Sequence, residues 1–217
     1  MRTSLKHALQ VDDITHLPSN CRKLVGHFCY SAKATQALKE NQMEWPPTKV
    51  IQDIMTRWNS TYYMLERLIG IHPAICPVLC VKSVSKASDV NQDLSPKELR
   101  VADSLVKLLQ PFELATRLLS VEQYVSISCA IPVMKGLNRS LTAEDEDDDC
   151  QAIHTVKYVL QGKLSKRFHL ECLDADTLEV IASLLDPRFK RAKFFPDPDD
   201  KKAAHSALLA MMKKETR

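Results

Sequence analysis

Trp58, Tyr62, Leu65 and Ile69 recur at offsets of four, seven and eleven residues, which places them on one face of an α-helix. The same period runs through the other long apolar segments. Leu24, Val25, Phe28, Ala37 and Leu38 carry it early in the chain, and Leu99, Ala102, Leu105, Val106, Leu109 and Phe112 carry it in the middle. Val156, Val159, Leu160 and Leu164 carry it later. No segment offers the two-residue alternation of a half-buried strand. A chain of 217 residues with only 4 glycines is also poor in the tight turns a β fold needs, whereas its 11 prolines fall mostly between the periodic runs. The expected fold is all-α, a helical bundle.

Local signals divide the bundle. Pro18 and Ser19-Asn20 mark the start of a helix reaching to about residue 43, decorated by Arg22, Lys23, Lys33 and Lys39 as a solvated face. Pro46-Pro47 ends it, and Val50 to Met55 leads extended into the Trp58 helix. Thr56 is positioned to cap that helix, Asp53 lies where its dipole favours negative charge, and Arg57 has Asp53 or Glu66 within reach. Ser95-Pro96 followed by Glu98 is the pattern of a capping box with proline at the first helical position. Pro111 should kink or split the helix that follows. A further helix begins near Ile127 with Pro132 in its early turns, and a short one spans Leu178 to Leu185 before Asp186-Pro187. A last helix covers Ala203 to Met212. The six consecutive carboxylates Glu144 to Asp149 repel one another and read as a disordered loop rather than a metal site.

The formal net charge of +3 and pI of about 8.4 permit nucleic-acid contact without marking a dedicated basic domain. The 7 cysteines are odd in number; Cys21/Cys29 and Cys76/Cys80 lack Cys-x-x-Cys spacing, and reduced thiols in an intracellular compartment are expected. The histidines are dispersed, and none reads as a metal ligand paired with a cysteine. No apolar run approaches the roughly 20 residues needed to cross a bilayer.

Beyond these physical signals, Thr56-Arg-Trp-Asn-Ser-Thr-Tyr62, with Met64, Leu65, Arg67 and Leu68, resembles a block of hAT-superfamily DNA transposases and of their domesticated relatives, the BED-type zinc-finger proteins. Three more blocks agree in order. They are Cys21 to Ser31 with Leu38 and Gln42, Pro111 to Ser120 with Tyr124, Ile127 and Pro132, and Leu185-Asp-Pro-Arg-Phe-Lys190. The resemblance implies a helical bundle like the insertion domain of these transposases, with a remnant of an RNase H-like core allowed at the N-terminus. The implied division is 1–50 for that core end or first helices, 51–195 for the insertion-like domain with its acidic loop at 142–150, and 196–217 leading toward a dimerisation region. Met1 stands close to where the family pattern would have a Cys-x-x-His motif, as in a chain that starts mid-domain.

In hAT transposases carboxylates on an RNase H-like sheet hold two metal ions for DNA cleavage. The family places those carboxylates before and after the region matched here. Asp53, Asp174, Asp176 and Asp186 remain, each with a capping or turn role, and no enzymatic activity is expected. The expected function is a non-catalytic part of a BED-type nuclear protein, contributing DNA binding or self-association, or association with related transposase-derived proteins. The alternatives are a helical protein-interaction module without DNA affinity and a truncated reading of an active transposase. Zinc in a BED finger and divalent metal in a catalytic site belong to the family, and no cofactor, membrane or small-molecule substrate is expected of this chain. The resemblance implies that Arg57-Trp58 acts at a DNA end, the indole stacking on an unpaired base. Trp58 shares a face with Tyr62 and Leu65, so a core anchor is the competing role. Arg188, Lys190, Arg191 and Lys193 form a second set suited to phosphate, against a plain solvated rim.

Overall fold

A computed structural model of the chain describes residues 5, 8–10, 12–42, 46–82, 84, 93–120, 127–143, 150–170, 173, 177–189, 191, 195 and 198–215. Among these residues every regular element is helical, and the fold is all-α. The helices are α1 (Asp12–Tyr30), α2 (Ala32–Asn41), α3 (Trp58–Leu79) and α4 (Pro96–Leu119), then α5 (Ile127–Thr142), α6 (Gln151–Phe168), α7 (Leu178–Leu185) and α8 (Pro198–Glu215). A 3₁₀ turn, Pro187–Phe189, follows α7. The acidic run 144–149 lies outside the described residues. Residues 2–110 with 147–156 form one compact unit, and residues 111–146 with 157–217 form another. No helix among the described residues is long and apolar enough to cross a membrane.

In the first unit α1, α2 and α3 pack on one another. Helix α1 starts before Pro18 rather than at it. Ile14, Leu17, Cys21, Leu24, Val25 and Phe28 are all buried at helical spacing across the proline. Burying Ile14 and Leu17 contributes on the order of 1.5–3 kcal/mol each, enough to offset the roughly 3 kcal/mol a helix-interior proline costs. The expected single helix breaks instead at Ser31, whose backbone is extended (φ −106°, ψ 108°) and whose Oγ accepts from the Ala34 N–H at 3.2 Å. Thr35 then donates to the Phe28 and Ser31 carbonyls, satisfying acceptors left at the end of α1.

Helix α3 extends past Ile69, through Pro73 and Pro77, to Leu79. Both prolines are exposed, so the carbonyls they leave without an intrahelical partner can face water, while Ile71, Ile75, Val78 and Leu79 continue the buried face. The capping box at the start of α4 forms as expected. Glu98 accepts from the Ser95 N–H at 2.9 Å, and Ser95 Oγ accepts from the Glu98 N–H at 3.2 Å. Glu98 also accepts from Asn20 Nδ2 at 2.8 Å, tying this cap to α1. These donors hold the Glu98 carboxyl below the usual range, the Ser95 hydroxyl contributing most. Pro111 neither splits nor ends α4, which runs through it as one helix.

In the second unit α5 lies against α7, and α8 lies against α7. Ile131, Leu173, Val180 and Ala204 form a buried cluster with Leu184, Phe189 and Phe195 packed onto it. Helix α5 begins at Ile127 and keeps Pro132 inside its second turn. A proline there cannot donate to the Ser128 carbonyl one turn back. The fully buried Ser183 of α7 brings a donor to that place, its hydroxyl lying 2.7 Å from the Ser128 carbonyl and equally 2.7 Å from the Glu179 carbonyl one turn back in its own helix. A local defect of one helix thereby becomes the point where its neighbour docks. At the end of α6, His169 takes the left-handed conformation (φ 47°) that glycine more often supplies.

Candidate nucleic-acid interface

Trp58 is 5% exposed and Tyr62 is 3% exposed, so both rings belong to the core of the first unit. Tyr62 keeps its hydroxyl satisfied by donating to Glu66 at 2.6 Å. Ser60 Oγ accepts from the Ile54 N–H at 2.8 Å and lies 2.9 Å from the Ile54 carbonyl. Thr61 donates to Asp53 at 2.9 Å. Ser60 and Thr61 thus hold the extended lead-in against the first turn of α3, and the helix needs no side-chain cap from Thr56. Arg57 occupies the N-cap position and makes no side-chain capping bond.

Asp53 is not the partner of Arg57. Its carboxylate, with no side-chain exposure, is gripped by Arg22 through Nε at 2.8 Å and a second nitrogen at 2.9 Å. Arg22 therefore belongs to a bidentate clasp between α1 and the lead-in, not to a solvated face. Nothing in the sequence pairs residues 31 positions apart, so this partner was not legible there. Arg57 itself is exposed and makes no ion pair among the described residues. Trp58 lines a pocket of about 210 Å³ with Thr15, Pro18, Arg22, Met55 and Thr61.

The second basic set divides. Lys190 and Lys193 lie outside the described residues, and Arg191 is exposed. Arg188 is 54% exposed, yet its guanidinium is bound to Asp186 through Nε at 3.0 Å and a terminal nitrogen at 2.6 Å. Ser128 donates to the same carboxylate at 2.6 Å, joining the turn after α7 to α5. The Arg188 bonds, then the Ser128 hydroxyl, hold the Asp186 carboxyl well below the usual range. Asp186 raises Arg188 in return. The Leu185-Asp-Pro-Arg-Phe-Lys190 segment is, through Asp186 and Arg188, a structural clasp. Asp174 and Asp176 lie outside the described residues.

Dispersion of the histidines hides one grouping. His72 and Cys76 are four residues apart on α3, hence on one face of it, and Asp93 from the segment before α4 meets them. His72 Nε2 lies 2.8 Å from Asp93 Oδ1, and the Cys76 thiol donates to Asp93 Oδ2 at 3.6 Å. Spacing alone could have paired His72 with Cys76; no local signal brings in Asp93, 17 residues further on. The described cysteines are free thiols, and burial pushes the Cys21 thiol up to about 12.

Comparison with known proteins follows the first unit closely. Residues 6–108 match the family described as the ZBED1 RNase-like helical domain. The human zinc finger BED domain-containing protein 4 is 31% identical over 185 residues, covering 83% of this chain. This chain belongs to the BED-type zinc-finger proteins derived from hAT transposases. Zinc finger BED domain-containing protein 6 of human and of mouse is likewise 31% identical, over 193 residues and 82% of the chain. The chain spans 15% of the length of the first BED-type relative and 18% of the other two. All three relatives are named as zinc-finger proteins rather than enzymes.

Proposed function

We propose that this chain is a non-catalytic helical module of a nuclear BED-type protein, and that it adds sequence-independent phosphate contacts to DNA binding done mainly elsewhere in such a protein. The observation that carries this reading is that exposed Arg57 makes no ion pair among the described residues. Asp53, the acidic side chain of the lead-in, is taken up by Arg22 and Thr61. The guanidinium stands at the N-terminus of the 22-residue helix α3, with no acidic residue in its first turn, so helix dipole and side chain favour an anion at the same place. The non-catalytic part is supported by Asp53 and Asp186, whose carboxylates are each held by an arginine instead of facing an open cation position.

Fluorescence anisotropy with a short hairpin DNA, repeated across a range of salt, tests the proposal. Each phosphate contact contributes about one unit to the slope of log K against log salt, so Arg57→Ala should lower that slope by about 1. A slope and affinity unchanged in Arg57→Ala would refute the DNA role. A second reading, self-association through this end of α3, is favoured by the exposure of Ile54 and Met55 beside Arg57. It predicts a salt-insensitive dimer in sedimentation equilibrium that Met55→Glu dissolves.

A further inference from the structure

We propose that His72, Cys76 and Asp93 form a zinc site, separate from any BED finger. Three donors of different chemistry converge here, all within 4.8 Å of one another. Tetrahedral zinc with bonds of about 2.0–2.1 Å to nitrogen and oxygen and about 2.3 Å to sulfur requires donor separations of roughly 3.5 Å for S···N and S···O, and roughly 3.3 Å for N···O. Here Sγ lies 3.5 Å from His72 Nδ1 and 3.8 Å from Nε2, while the two Asp93 oxygens face the other donors separately, Oδ2 at 3.6 Å from Sγ and Oδ1 at 2.8 Å from Nε2. Binding needs small turns of the imidazole and the carboxylate, so that one nitrogen and one oxygen face the ion together with Sγ, and the nitrogen-to-oxygen distance must widen by about 0.5 Å, as expected when a metal replaces the shared proton of a hydrogen bond.

The donors are held before any ion arrives. His72 and Cys76 project from successive turns of α3, and the side chains of His72 and Asp93 are 12% and 28% exposed. Asp93 is fixed by the Leu94 N–H, which donates to Oδ1 at 2.8 Å, and Leu94 is buried immediately before the Ser95–Glu98 capping box. A supporting shell of this kind sets ligand orientation in known metal sites. Thiolate, imidazole and carboxylate together suit zinc and disfavour magnesium or calcium, which take oxygen donors. The fourth position is left to water. Without metal, burial and then Asp93 hold the Cys76 thiol protonated. Zinc binding displaces that proton to solvent, leaving the thiolate as ligand, so affinity should rise with pH.

Cobalt(II) titration of the reduced full chain reads the site directly. The expected result is one equivalent bound with a sulfur-to-cobalt charge-transfer band, which zinc then abolishes by displacement. Cys76→Ser should remove the band, and Asp93→Asn should weaken affinity at least tenfold, with helical circular dichroism retained in both. A native protein without the band, or a band of equal strength in Cys76→Ser, would overturn the proposal, the latter by placing the metal on other thiols. Should Cys76→Ser fail to fold, unchanged cobalt affinity in Asp93→Asn overturns it equally.

Discussion

Replacing Ser183 by alanine should loosen the second unit by more than a surface change would, and only because of a proline on the facing helix. Ser183 is fully buried, and its hydroxyl, shared with the Glu179 carbonyl of its own helix, lies 2.7 Å from the Ser128 carbonyl, the acceptor that an N–H at position 132 would serve in an ordinary helix. Alanine removes almost no volume, so the cost comes from weakening the hydrogen bonding of a buried carbonyl, up to about 1–3 kcal/mol. At 2 kcal/mol the opening equilibrium of α5 and α7 shifts about 30-fold. Both tryptophans of the chain precede residue 60, so fluorescence would not report on this unit. Hydrogen exchange of peptides from α5 and α7, read by mass spectrometry, measures the opening locally. The decisive variant is Pro132→Ala, which returns an N–H to the Ser128 carbonyl. In that background Ser183→Ala should cost at least about 1 kcal/mol less than in the native chain, a coupling typical of groups sharing one partner. Equal costs in the two backgrounds would refute the idea that Ser183 substitutes for the missing donor.

Two further outcomes follow from the arginine clasps. Asp53→Asn leaves Arg22 facing a neutral partner, and urea unfolding followed by Trp58 fluorescence should show a loss of about 2–3 kcal/mol; Arg22 is 26% exposed, which keeps the loss below that of a fully buried pair. A loss under about 0.5 kcal/mol would show that the clasp is only a surface contact. Asp186 has a folded-state pKa depressed by Arg188 and Ser128, so the stabilisation it provides is present above the ordinary carboxylate pKa of about 3.9 and is lost as pH falls below it. Exchange protection of α7 should therefore hold from pH 7 to 5 and fall below about pH 4, and Asp186→Asn should flatten that acid limb. An acid limb identical in the variant would assign it to other carboxylates.

Much of the fold was legible in the sequence. Helical periodicity and the scarcity of glycine settle the all-α class, and the Ser95–Glu98 box and the ends of α7 follow from signals within one turn of each other. Such features depend on backbone groups a few residues apart, whose partners the local sequence names. Of the candidate site, the block around Arg57 was visible as a motif, but the division of labour inside it was not. Trp58 shares a helical face with Tyr62, and only packing decides whether that face meets core or solvent.

Tertiary structure alone decided the rest. Pro18 reads as the start of a helix and Pro111 as a kink or a split, because each removes a hydrogen bond, yet both lie inside continuous helices, as do Pro73, Pro77 and Pro132. Burial of the flanking apolar stripe, exposure of the freed carbonyl to water, or a hydroxyl from a neighbouring helix offsets the loss, and none of these is a local property. Arg22 with Asp53, Ser183 with Ser128, and Asp93 with His72 and Cys76 meet across 31, 55, 21 and 17 residues. Amino-acid sequence determined which segments coil and which faces are apolar. Packing those faces together chose the partners of the charged and polar groups, because a buried charge or carbonyl must find its counterpart wherever the fold brings one within reach.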